Sequence, residues 1–137
     1  MNRRSFCLTG LAALATPGLA WAMPKDYTEG LAKKHLAQGD VVFLDFKADW
    51  CSTCRAQERV INALKAENPD YAAKVTFINV DWDRHGKGAL VKELNIPRRS
   101  TLVVMKGEAE LGRIVAGTGK DEIKALMDVA LAATAGS

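Results

Sequence analysis

Asp45-Phe46-Lys47-Ala48-Asp49-Trp50-Cys51-Ser52-Thr53-Cys54 is the stretch on which the reading of this chain turns. Two cysteines three positions apart follow an apolar, strand-like run and precede an amphipathic, helix-like one. A pair so placed has one thiol that can attack a sulfur and a second that can resolve the product. Working outward, Val41 to Phe46 is nearly continuous apolar and β-branched at its start, the mark of a strand buried on both faces. Ser52 to Asn68 carries Val60, Ile61 and Leu64 on one stripe, with Pro69 just beyond, and reads as a helix.

The same periodicities predict the remaining elements. Pro24 to Gln38 reads as a first helix ended by Gly39-Asp40, and Val75 to Val80 as a second buried strand. Gly86 to Leu94 reads as a short helix. Thr101 to Met105 and Leu111 to Val115 read as a hairpin, and Asp121 to Ala133 as a closing helix with Ile123, Leu126, Met127 and Ala130 at core spacing. A strand–helix–strand start followed by a hairpin implies an α/β domain, a mixed four-stranded sheet with helices on both faces.

The N-terminus speaks to compartment. Arg3 and Arg4 precede an apolar run from Cys7 to Ala20, then Ala20-Trp21-Ala22. This is a charged region, a short apolar region and a small-x-small site, so residues 1–22 read as an export signal cleaved after Ala22. The run is too short and too interrupted by glycine and proline to serve as a retained membrane anchor. Arg3-Arg4-Ser5-Phe6 also resembles the twin-arginine signal of bacteria, with Cys7 where leucine is usual, and an ordinary secretory signal is the alternative. Either route leads to the periplasm.

Cleavage leaves residues 23–137 as one domain and takes away Arg3, Arg4 and no acidic residue. The formal charge falls from +3 to +1. That balance makes no electrostatic case for nucleic acid or an anionic membrane as partner. Cys7 goes with the signal, and Cys51 and Cys54 are too few for a structural disulfide framework. They are chemistry or metal binding. His35 and His85 lack zinc-ligand spacing to them, and Asp81, Asp83 and His85 lack the oxygen ligands of a hard-cation loop. No metal or cofactor is expected.

Ala48-Asp49-Trp50-Cys51-Ser52-Thr53-Cys54-Arg55, with Asp45 in the strand before it, resembles the thioredoxin family. Phe77-Ile78-Asn79-Val80-Asp81, Thr101 to Gly107 and Gly117 extend the resemblance over Val41 to Leu131. It implies a thioredoxin-like fold, a Cys51–Cys54 disulfide, and a monomer exchanging electrons with a protein or small-molecule thiol or disulfide. Reduction is the favoured direction, recharged by a membrane or periplasmic thiol donor. Cys51, at a helix start that favours its thiolate, would attack, and Cys54 would resolve. Asp45 would relay a proton beneath Cys54, or else bond to Lys47 or a backbone N–H. Trp50, Ser100 and Thr101 would meet substrate.

Two departures from the family pattern stand out. Ser100 occupies the position before the third strand where a cis-proline is usual, so a trans bond is expected there. Its hydroxyl and a free N–H are then available to substrate. Ser52-Thr53 replaces the Gly-Pro of reducing members. A Cu(I) carrier using both thiolates and a redox-inactive binding module are the competing classes.

Overall fold

The computed structural model describes residues 23–135; the 1–22 segment read as an export signal lies outside the described residues. In chain order the elements are β1 (Lys25–Asp26), α1 (Leu31–Ala37), β2 (Val41–Lys47), α2 (Ser52–Glu67), α3 (Asp70–Lys74) and β3 (Thr76–Asp81). Then come α4 (Trp82–His85), α5 (Ala89–Leu94), β4 (Thr101–Lys106), β5 (Ala109–Val115) and α6 (Lys120–Thr134).

The sheet order is β1-β3-β2-β4-β5. β1 and β2 run parallel to β3, while β4 runs antiparallel to β2 and to β5. The mixed sheet is as expected, with one addition. The two-residue β1 pairs Lys25 with Ile78 and Asp26 with Asn79, making a fifth, edge strand. It takes the start of the segment expected to be helical. Helix α1 begins only after Gly30, whose φ of 88° is a left-handed backbone that glycine adopts without a Cβ penalty.

β2 is central because its side chains are apolar on both faces. Alternation sends Val41 and Phe43 to one side, where Phe77, Leu102 and Val104 join Ile61 and Leu64 of α2 and Ile123 and Met127 of α6. Val42, Leu44 and Phe46 go to the other side, against Ile78, Val80, Val103, Ala32 of α1 and Leu90 and Val91 of α5. The same alternation sends Asp45 to the α2 face, among apolar neighbours.

Three boundaries differ from the periodicity reading. The helix expected over Gly86–Leu94 begins only at Ala89, as α5, and a separate α4 precedes it, started where Asp81 accepts the Asp83 N–H at 3.2 Å. Asn68-Pro69-Asp70 nucleates α3, with Asn68 Oδ1 accepting the Asp70 N–H at 3.1 Å. The β4–β5 hairpin closes through Gly107-Glu108 alone, with Gly107 at φ 60° as a two-residue loop requires. Among the described residues no helix is long and apolar enough to cross a membrane.

Phe43 is fully buried at the middle of β2 and its ring lies 4.9 Å from that of Phe77. Phe43→Ala is expected to cost about 3–5 kcal/mol in urea unfolding, a loss of transfer energy plus a cavity that packed neighbours fill only in part.

Candidate active site

The site is assembled where β2 ends. Main-chain direction brings Lys47 out of the sheet, Ala48-Asp49-Trp50 turns the chain, and α2 starts on Cys51 as its N-cap. Cys51 N–H bonds to Ala48 O at 3.1 Å, which tightens that turn. Cys51 Sγ accepts the Cys54 N–H at 3.1 Å, so the sulfur does the work of a capping oxygen at a helix end with unsatisfied donors. Cys51 and Cys54 are joined as a disulfide with Cα atoms 5.2 Å apart. Cys54 is fully buried and Cys51 is only 2% exposed.

Ser100 sits on the pair. Its Oγ lies 3.2 Å from the sulfur of Cys51 and 3.2 Å from that of Cys54. The described residues contain no cis peptide bond, in line with the trans bond expected before Ser100. The expectation of a free Ser100 N–H is overturned: it donates to Phe46 O at 2.7 Å. The carbonyl is spent too, accepting Ala116 N–H at 2.8 Å and Gln57 Nε2–H at 2.9 Å. Both backbone groups of Ser100 are therefore already paired just before β4 begins. Gln57, fully buried in α2, also donates to Gly117 O at 2.9 Å and thereby ties the loops after α5 and β5 to the helix that carries the cysteines. Its helical spacing from Cys54 is the sequence signal for that role.

The other expected substrate contacts are distributed unevenly. Trp50 is 56% exposed; its indole N–H donates to Asp83 at 3.0 Å and Arg99 stacks 4.6 Å above its ring. It is an accessible aromatic beside the pair. Thr101 is fully buried and its hydroxyl donates to Arg98 O at 2.7 Å, so it shapes the loop from inside.

Asp45 lies on the α2 side of β2, 6% exposed, and its Oδ1 has no hydrogen-bond partner among the described residues. The alternative in which Lys47 pairs with it is overturned, because Lys47 pairs with Glu58 instead. Loss of water raises the Asp45 pKa from an ordinary 3.8 to about 7. Lys47 and Lys65 pull it down and Glu58 pushes it up. Lys65, packed 3.9 Å over the Phe77 ring, has its own pKa lowered by burial against the pull of Asp45 and Glu58. Asp45, Glu58, Asn62 and Lys65 line one cavity of about 440 Å³. A carboxyl poised near neutrality beside such a cavity can take a proton and pass it on.

A cysteine pair bridged at the head of a helix, beneath the end of a buried central strand, defines a CxxC-type α/β domain. The thioredoxin family model matches residues 22–129, and the chain belongs to the thioredoxin family. It is 34% identical over 85 residues to a thioredoxin H-type of Brassica campestris, covering 62% of this chain and 63% of that protein. It is 34% identical over 84 residues to thioredoxin H2 of Arabidopsis thaliana, covering 61% and 58%. The alignments thus span less than two thirds of these relatives. Among solved structures, Trxlp from Edwardsiella tarda EIB202 superposes with a TM-score of 0.63 at 25% identity, covering 77% of this chain and 96% of that one.

Asp45 yields a pH test with a definite sign. Between about pH 4 and 7 the folded carboxyl keeps a proton that the unfolded chain has lost. Folding stability therefore falls as pH rises through that window and levels off above it. Asp45→Asn is expected to match the native protein near pH 4 and to exceed it at pH 8 by a few kcal/mol, at most about 4. Urea titrations at both pH values measure the difference, and equal gains at the two would show that Asp45 is not the titrating group.

Proposed function

We propose that this protein is a periplasmic thiol–disulfide oxidoreductase that reduces disulfides of a protein or small-molecule partner through Cys51 and Cys54. The observation that carries the reading is the Cys51–Cys54 disulfide capping α2, with the Cys51 sulfur accepting a backbone N–H. Membership of the thioredoxin family and the Asp45 carboxyl on the α2 face support it.

The reduced enzyme carries Cys51 as thiolate and Cys54 as thiol. Cys51 attacks one sulfur of a substrate R–S–S–R′, forming Cys51–S–S–R and releasing R′–S⁻. Cys54 gives its proton to Asp45 and attacks the Cys51 sulfur. That step forms the Cys51–Cys54 disulfide and releases R–S⁻. Two electrons pass from the cysteine pair to the substrate, and a separate thiol donor restores the pair by the reverse exchange. Trp50 offers an accessible aromatic surface beside the reacting sulfurs.

The burial of Cys51 favours one second reading. With 2% of the residue exposed, a substrate sulfur meets Cys51 only after neighbouring side chains shift. A binding module that has kept the fold and lost turnover fits that coverage, with Ser100 standing where the family has proline.

Turnover decides between them. The purified, reduced protein is expected to reduce insulin or glutathione disulfide, and Cys51→Ser to abolish this. Cys54→Ser is expected to stall at the mixed disulfide, visible by mass. A reduction potential near about −270 mV marks a reductant and one near about −120 mV an oxidant. No turnover in either direction supports the binding module. For the address, replacing Arg3 and Arg4 together by lysine is expected to stop periplasmic accumulation in a bacterium with twin-arginine export. Unchanged accumulation of the double variant would point to the general secretory route.

A further inference from the structure

We propose that the Ser100 hydroxyl is a catalytic residue of this exchange, donating a hydrogen bond to whichever of the two sulfurs carries negative charge. This rests on the oxidoreductase reading and adds to it a group that the proline-bearing pattern of the family cannot supply.

Two observations carry the role of Ser100, and a third shows why proline cannot stand there. The first is geometric. Its Oγ is 3.2 Å from each sulfur, and no other partner for that hydroxyl is present among the described residues. Rotation about the C–O bond suffices to aim the one proton at either sulfur.

The second is rigidity. The backbone of Ser100 is held by Phe46, Ala116 and Gln57, and the residue is fully buried. The hydroxyl is thus kept in place as charge moves beneath it, and pre-set donors of this kind act without reorganisation.

The third is conformational. Ser100 has φ 66°, a left-handed backbone where glycine would be cheaper. Ala116 shares φ 66°, so that backbone does not in itself point to chemistry; what distinguishes Ser100 is the hydroxyl over the sulfurs. A proline at position 100 is excluded on both counts: its ring needs φ near −65°, and it has no N–H to give Phe46 O.

The charge logic follows from the exchange steps. A disulfide sulfur is a weak acceptor, whereas a thiolate makes a charge-assisted hydrogen bond about twice as strong as a neutral one. Before attack, Cys51 thiolate has two donors, the Cys54 N–H and the Ser100 O–H. When Cys54 loses its proton and attacks, the Ser100 O–H turns to the Cys54 sulfur, and the leaving charge goes out on R–S⁻. The Ser100 proton stays on Oγ throughout, so no oxidant, reductant or proton carrier is added to the reaction. Because the hydrogen bond strengthens on reduction, it also stabilises the dithiol form and makes the pair a milder reductant than it would otherwise be.

Ser100→Ala and Ser100→Gly test this together. Both remove the hydroxyl; alanine keeps the strained backbone and glycine relieves it. The readouts are the pH titration of thiolate absorbance at 240 nm in the reduced protein and the equilibrium with glutathione. Each variant is expected to hold about tenfold less Cys51 thiolate at a pH below its pKa. Each is also expected to shift the glutathione equilibrium about tenfold toward the disulfide, about 30 mV more reducing. A native-like thiolate titration in either folded variant, with turnover retained, overturns the role of Ser100. Absence of turnover in the native protein overturns the oxidoreductase reading beneath it, whatever the titration does.

Discussion

Everything at the candidate site hangs on the backbone hydrogen bonds of one buried residue, Ser100. Its N–H ties to Phe46 at the end of β2, its carbonyl to Ala116 after β5 and to Gln57 in α2. Three separate parts of the chain are thereby brought to one point directly above the disulfide. Buried backbone groups must be paired, and this node pairs them without help from solvent. The cysteine pair meets a rigid ceiling as a result, and Gln57 extends the same constraint to Gly117.

On the α2 face of β2, the governing constraint is the opposite: a polar group left unpaired. Asp45 stands in a strand chosen for burial on both faces, and Lys47, the nearest cation in sequence, is taken by Glu58. The carboxyl therefore pays for its position by holding its proton to about pH 7. A hydroxyl fixed beside the two sulfurs and a proton-holding carboxyl on the α2 face of β2 thus occupy the same domain. The buried, unpartnered carboxyl costs folding stability once it is ionised.

The strong periodic signals carried the architecture. A strand apolar on both faces and nearly throughout, such as Val41 to Phe46, belongs at the centre of a sheet, and a stripe such as Val60, Ile61 and Leu64 packs against it. Short elements were less legible. β1 has two charged residues and exists only through its pairing with β3, while α3 and α4 start at side-chain-to-backbone bonds of Asn68 and Asp81 that outweigh weak periodicity. At the site, Cys51, Cys54 and Asp45 were readable because cysteines three apart and a carboxylate inside an apolar run are each costly without a use. Gln57 was not, since a polar residue in an amphipathic helix is ordinarily a solvated one.

Local chemistry in the chain was enough to establish the α/β order, the family resemblance and the pairing of Cys51 with Cys54, because these depend on residue type and short spacing. Where Ser100 directs its atoms depended on partners 43 to 54 residues away in the chain, at Gln57, Cys54, Cys51 and Phe46. Spacing of that length leaves no mark in a periodicity. The free N–H expected of Ser100 was wrong for that reason, and so was the Lys47 partner considered for Asp45. Both were settled by which hydrogen-bonding groups the packed sheet and helix bring face to face once water is excluded.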